Sequence, residues 1–179
     1  SFQTREDTPK IIYLEYIDVD GDELTVIIAQ PFAHGTLAHI EGNQYLYTPD
    51  LDWNGVDTMS FYVEDAISAS NTATVTISVS PVEDPPVLAD AEIPPLQEGQ
   101  TDPFTFEVPA SDPDIGDTLT YSLGYRYPEG MVIDPVTGIV TWSLPEYFNG
   151  RVLFEVCVED QTGLEACKTY SVYVNPVND

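Results

Sequence analysis

The chain has 179 residues, 42% hydrophobic and 11% aromatic, which is enough to build one large or two small cores and too apolar for a disordered segment. Thirty-one Asp and Glu stand against five Lys and Arg, and the resulting charge of −26 repels phosphate backbones and anionic membranes, so nucleic acid is excluded as a partner. No apolar run approaches the ~18 residues of a membrane span, so direct membrane insertion is not expected. His34 and His39 are the only histidines, which leaves little for a Ser/His/Asp, Cys/His or His-zinc centre, and no enzyme is expected.

Taken from the N-terminus, apolar residues recur with a period of two, the strand signal. Short runs at 11–17, 24–29 and 45–47 precede Met59, Phe61 and Val63. In 72–80, Ala73, Val75, Ile77 and Val79 then alternate with Thr and Ser, which predicts a strand with one face in a core. Beyond Pro81-Val82-Glu83-Asp84 the pattern restarts with 87–96, 104–108, 119–123 and 139–142. It continues through Val152, Phe154, Val156 and Val158, and then Tyr170, Val172 and Val174. Gly, Pro, Asn and Asp separate these runs. Strands of this length and spacing predict an all-β fold of Ig-like Greek-key β-sandwiches.

The second half repeats the first. Asn54-Gly55 recurs at Asn149-Gly150, Glu64-Asp65 at Glu159-Asp160, and Pro81-Val82-Glu83-Asp84 at Pro176-Val177-Asn178-Asp179, each 95 residues on. Division after Asp84 predicts two tandem modules, 1–84 and 85–179, with 15 acidic and 2 basic residues in the first and 16 and 3 in the second, −13 in each. The acidity therefore belongs to the module. If 87–96 is strand A of the second module, its counterpart lies before Ser1, so the first module is expected to lack most of strand A. The final linker motif similarly predicts two consecutive beads from an array, whose partners include neighbouring modules of the same chain.

Two loops of each module concentrate short acids. Asp18, Asp20 and Asp22, or Asp112, Asp114 and Asp117, lie between the second and third strands; Asp65 and Asp160 open the connection between the last two. A sandwich of this topology brings both loops and the linker to one end. Like charges gathered there are costly without a cation, and a hard, oxygen-rich, thiol-free set suits Ca²⁺ better than zinc or copper. An EF-hand would place Gly sixth and Glu twelfth from Asp18, where Glu23 and Ala29 stand instead. The competing reading is that acids in turns cap loops and confer solubility.

Cys157 and Cys167 fall on the last two strands, on the face opposite Val156, Val158, Tyr170 and Val172, and are placed to meet across the hairpin. A disulfide there fits an oxidising, extracellular setting; two free thiols are the alternative. Trp142 shares a strand face with Val140 and is expected in the core, whereas Trp53 precedes a turn. His34 and His39 are expected at strand edges.

Asp18-Val-Asp-Gly-Asp, His34-Gly35-Thr36-Leu37, Tyr47-Thr48-Pro49 and Asp52-Trp53-Asn54-Gly55 resemble the cadherin-like tandem repeats of large bacterial surface proteins. Ser111-Asp112-Pro-Asp114, Gly116-Asp117-Thr-Leu119-Thr120-Tyr121 and Thr137-Gly138 are similar to the dystroglycan-type cadherin-like domain. The resemblance implies calcium at the junction between modules. It carries ligand roles to Asp18, Asp20, Asp65, Asp112, Asp114 and Asp160, to Asp84 of the linker, where Glu83-Asp84 replaces the usual Asn-Asp, and to Glu6, for which Asp7 is the alternative. Glu6, Asp84, Asp112, Asp114 and Asp160 would form one site, and Asp18, Asp20 and Asp65 half of another. The implied function is a calcium-rigidified spacer or adhesion segment of a large extracellular, cell-surface protein, with a cell-surface protein or polysaccharide as possible partner. The rival reading is a calcium-dependent polysaccharide-binding module.

Overall fold

In the computed structural model, which describes residues 1–18 and 21–177, the chain divides into two compact units, Ser1–Val82 and Glu83–Asp179. The division falls two residues before the expected one. Asp84 donates its backbone N–H to Asp114 Oδ2 at 2.8 Å, which ties the end of the linker to the second unit.

The strands of the first unit are β1 (Phe2–Arg5), β2 (Lys10–Tyr13), β3 (Thr25–Gln30), β4 (Gly35–Glu41), β5 (Gln44–Pro49), β6 (Gly55–Glu64) and β7 (Ala73–Ser80). They form one sheet in the order β1-β7-β6-β3 and another in the order β2-β5-β4. The chain thus crosses between sheets from β1 through β4 and again from β5 to β6, while β4-β5 and β6-β7 are hairpins within a sheet, as in a Greek-key sandwich. Period-two alternation puts Met59, Phe61 and Val63 of β6 and Val75, Ile77 and Val79 of β7 on the inner face. There they meet Ile12, Leu14, Phe32 and Tyr47.

The second unit comprises β8 (Val87–Leu88), β9 (Leu96–Gln97), β10 (Phe104–Glu107), β11 (Ala110–Ser111), β12 (Thr120–Leu123), β13 (Met131–Ile133), β14 (Ile139–Trp142), β15 (Gly150–Glu159) and β16 (Glu165–Asn175). One sheet runs β12-β15-β16-β9, facing β10-β14-β13, with β8 paired to β11. Trp142, Phe154, Val140, Val156 and Val174 lie at the centre of its core. Trp142 is fully buried, and its indole N–H donates to the Glu129 carbonyl at 3.1 Å, so its one polar atom is satisfied.

Two departures from the sequence reading have local causes. The run 87–96 is two strands: β8 pairs antiparallel with β11, and β9 pairs parallel with β16 in the other sheet. Pro94 and Pro95 between them have no N–H to continue a ladder, so the chain changes partner there. In the first unit β1 pairs parallel with β7 just as β9 does with β16. The run 11–17 ends as a strand at Tyr13, and buried Leu14 instead donates its N–H to the Asn43 carbonyl at 3.0 Å.

β15 and β16 are in continuous register from Gly150↔Val174 to Glu159↔Glu165, which sets Cys157 directly opposite Cys167. The two form a disulfide, with Cα atoms 4.0 Å apart.

Candidate metal centre

The second unit gathers three of its acids at one point. The Asp112–Asp117 loop and the β15–β16 hairpin bring ligand oxygens of Asp112, Asp117 and Asp160 within 4.8 Å of one another. Each carboxylate spends one oxygen on its own scaffold. Asp112 Oδ1 accepts the Asp114 N–H at 2.9 Å; Asp117 Oδ1 accepts the Gln161 side-chain amide at 2.7 Å. Asp160 Oδ1 accepts the Thr162 N–H (2.7 Å), the Thr162 hydroxyl (2.8 Å) and the Leu164 N–H (2.9 Å). The other oxygen of each, Asp112 Oδ2, Asp117 Oδ2 and Asp160 Oδ2, is buried and has no hydrogen-bond partner. Buried polar atoms are almost always paired, and three orphaned anionic oxygens in one cluster have the chemistry that a bound cation would satisfy.

The loop geometry is local in origin. Gly116 adopts φ +101°, a left-handed conformation that turns the chain so that Asp117 points back at Asp112, and the Asp117 N–H closes the loop on the Asp114 carbonyl at 3.4 Å. Asp114 turns its Oδ2 toward the Asp84 N–H. Burial, and then the charges of Asp112, Asp114 and Asp160, hold the Asp117 carboxyl above its ordinary range. Burial followed by the charges of Asp114, Asp117, Asp160 and Asp112 does the same to Glu83, which places that linker side chain in the field of the cluster. At Asp160 burial pushes the carboxyl up, but the Thr162 hydroxyl and the N–H groups of Leu164, Thr162 and Gly163 outweigh it and hold it low. Asp160 is thereby kept ionised at the position most enclosed by protein.

The first unit brings Asp18 and Asp65 together with Asp22, their oxygens again within 4.8 Å. Asp65 Oδ1 accepts the N–H groups of Ile67 and Ser68, both at 2.6 Å, which lowers its pKa through the Ser68 bond first and the Ile67 bond second. Asp18 Oδ1 accepts the Gly21 N–H at 3.1 Å. Asp20, and the Asn178-Asp179 pair of the last linker motif, lie outside the described residues.

Glu6 is almost wholly buried, and both its oxygens serve the first unit: Oε1 accepts the Val82 N–H, and Oε2 the Asn54 side-chain amide at 3.3 Å. Glu98 repeats the contact in the second unit, accepting the Asn149 amide and the Val177 N–H, each at 3.2 Å. The loose register offered by the sequence is thereby fixed, with Glu6 equivalent to Glu98. Asp7 adopts φ +54° and accepts the Asp52 N–H at 3.1 Å.

Sequence reasoning counted Asp117 among the loop acids, but the ligand set carried over by the resemblance held Asp112, Asp114 and Asp160 and left out Asp117 and Glu83. The signal for Asp117 was the third acid of its loop following a glycine; Glu83 was read only as a departure from Asn. Asp57 was also missed. It is 3% exposed and accepts the N–H groups of Ala33 (3.0 Å), His34 (2.9 Å) and Thr58 (2.8 Å), as well as the Tyr47 hydroxyl at 3.4 Å. His34 stacks on Trp53 with ring centroids 4.4 Å apart.

Two β-sandwiches in tandem, each with carboxylates from two loops meeting at one point, define the class as tandem Ig-like modules. The chain belongs to the family described as putative Ig domain, whose model matches residues 85–175, and residues 1–78 match the model described as bacterial Ig domain. Among solved structures it is similar to human mucin-like protocadherin EC1-2, at 21% identity and TM-score 0.51, covering 98% of this chain and 95% of that one. Human protocadherin-24 EC1-2 gives 18% identity and TM-score 0.56, covering 100% and 94%. Drosophila N-cadherin EC1-4 gives 17% and 0.55, and the chain covers 48% of that structure while 98% of this chain is aligned. At these identities the likeness is one of fold. No curated protein sequence matches the chain.

Proposed function

We propose that the chain is a calcium-binding tandem of cadherin-like modules, a rigidified spacer and adhesion segment of a large extracellular protein. The observation that carries this reading is the triad of buried, unpartnered oxygens on Asp112, Asp117 and Asp160. A divalent cation would satisfy all three and neutralise their repulsion. Carboxylates on turns, with no thiol or imidazole among them, fit the hard-oxygen preference of Ca²⁺. The role of the ion is structural: it binds the folded unit and not the unfolded chain, so it stabilises by linkage. Asp112, Asp117 and Asp160 sit together on turns and do not face one another across a cleft, which agrees with a structural and not a catalytic role for this cluster. The Cys157–Cys167 disulfide supports an oxidising, extracellular location.

The proposed ligands are Asp112, Asp114, Asp117 and Asp160 in the second unit and Asp18, Asp20 and Asp65 in the first, with Glu6 and Asp84 as further candidates. For extracellular sites of Kd ~10⁻⁴–10⁻³ M, 10 mM CaCl₂ stabilises by about 1.4–2.7 kcal/mol per site. That corresponds to a rise in melting temperature of roughly 6–20 °C for a unit of this size. Thermal unfolding in EDTA, 10 mM CaCl₂ and 10 mM MgCl₂ tests it, alongside D160N. Wild type should respond to calcium well beyond magnesium. D160N, whose new amide N–H can donate to the orphaned oxygens, should match or exceed wild type in EDTA and fall below it in calcium. Equal stabilisation of both proteins by calcium would reject the site. E6Q and D84N test the linker-side candidates, each expected to weaken calcium binding.

A further inference from the structure

A second feature of the second unit is unrelated to the carboxylates. With Asn54-Gly55 and Asn149-Gly150 in register, Tyr147 stands where the first unit has Asp52. Both are third in a four-residue turn. The Trp53 N–H closes one turn on the Asp50 carbonyl and the Phe148 N–H closes the other on the Pro145 carbonyl, each at 3.3 Å. Both residues are left-handed, with φ +53° at Asp52 and +62° at Tyr147. Asp tolerates that region through local hydrogen bonds, whereas a bulky aromatic there is an outlier held against its own preference. The ring is not compensated by core packing, since Tyr147 is 77% exposed.

Beside it opens a cleft of about 490 Å³, within the size range of ligand pockets, whose lining includes Glu98, Gln100, Thr101, Pro145, Glu146 and Tyr147. Glu98 is fixed by its bonds to Asn149 and Val177, so one wall is preorganised. Among the described residues no Lys, Arg or His lines the cleft. An anionic ligand would find no countercharge in a chain of −26, and a purely apolar one would leave two carboxylates desolvated and unpaired. A ligand with an apolar C–H face and a rim of hydroxyls satisfies both the ring and the acceptors.

We propose that this cleft binds a segment of a neutral polysaccharide, one sugar ring lying on Tyr147 and its hydroxyls bonding Glu146, Gln100 and Thr101. The site shares no residue with the carboxylate cluster and stands whether or not calcium is bound there. Isothermal titration of the full chain in CaCl₂ with laminarihexaose, cellohexaose, mannohexaose and chitohexaose tests it, with alginate as the acidic comparison. At least one neutral hexasaccharide should bind, Y147F should retain the affinity, and Y147A should lose about tenfold or more. Y147G separates binding from folding: it should lose binding equally while its melting temperature rises, because glycine relieves the left-handed backbone. Silence from all four hexasaccharides, preferential binding of alginate, or full affinity in Y147G would overturn the proposal.

Discussion

Asp57 offers the sharpest test of how the first unit is held together. Its carboxylate lies on the inner face of β6, opposite Ile77, and ties the Ala33-His34 segment to the sheet through two N–H groups while also receiving Thr58 and Tyr47. Hydrogen bonds to a charged acceptor contribute about 1.5–3 kcal/mol each, and a donor left buried without a partner costs about 1–3 kcal/mol. In D57A the Tyr47 hydroxyl keeps its bond to the His34 carbonyl at 3.0 Å, and the part-buried Ala33 and His34 amides, on residues that are themselves exposed, recover part of their loss from water. The net loss is therefore about 3–4 kcal/mol, a large part of a small unit's stability. D57N keeps the shape but turns an NH₂ toward the His34 N–H, opposing donor to donor, and should lose about 2–3 kcal/mol. Urea unfolding followed residue by residue by ¹H–¹⁵N NMR separates the units: amides of β6 and β7 should melt earlier, those of β15 and β16 unchanged. A D57A variant within 1 kcal/mol of wild type would refute the reasoning.

Three further outcomes are expected. Replacing Cys157 and Cys167 together by Ala removes a bond spanning 10 residues and should cost the second unit about 2–3 kcal/mol, read as a lower urea midpoint for β15 and β16. D117N should weaken calcium binding about tenfold by titration calorimetry while leaving the fold intact, since the Gln161 contact survives through the amide oxygen; unchanged affinity would remove Asp117 from the ligand set. At high pH, Tyr170 should ionise late, because burial, then the charges of Asp90 and Tyr121, push it up to about 12, and burial, then Asp57, raise Tyr47 further. A pKa raised on folding gives stability that is complete below 10 and lost as pH rises through the folded value. Near-ultraviolet titration should therefore show a late component from these two that appears only with unfolding; complete ionisation of tyrosine in the folded protein would contradict it.

The alternation of Thr and Ser with Val and Ile along 72–80, and the 95-residue offset of Asn-Gly and Glu-Asp, determined two β-sandwiches without help from coordinates. A period of two fixes which side chains face a core, and that is a local property. The same alternation placed Trp142 inward and set Cys157 and Cys167 on a common face. Partner choice was not local. Two consecutive prolines within an apparently continuous run moved β9 to the other sheet, where it lies parallel to β16, a pairing set by distant chain.

At the site, the acids themselves were legible as short side chains concentrated in two loops. Which oxygens would be spent and which left bare was decided by tertiary structure. Asp114 faces the linker, while Asp117, one turn further through Gly116, joins Asp112 and Asp160. Glu6 gave a similar lesson, for the resemblance makes it a calcium ligand at the junction, whereas the fold buries its carboxylate against Asn54 and the Val82 N–H. Composition fixes how much charge a module carries; only the packing of loops from distant parts of the chain fixes where that charge is left without a partner.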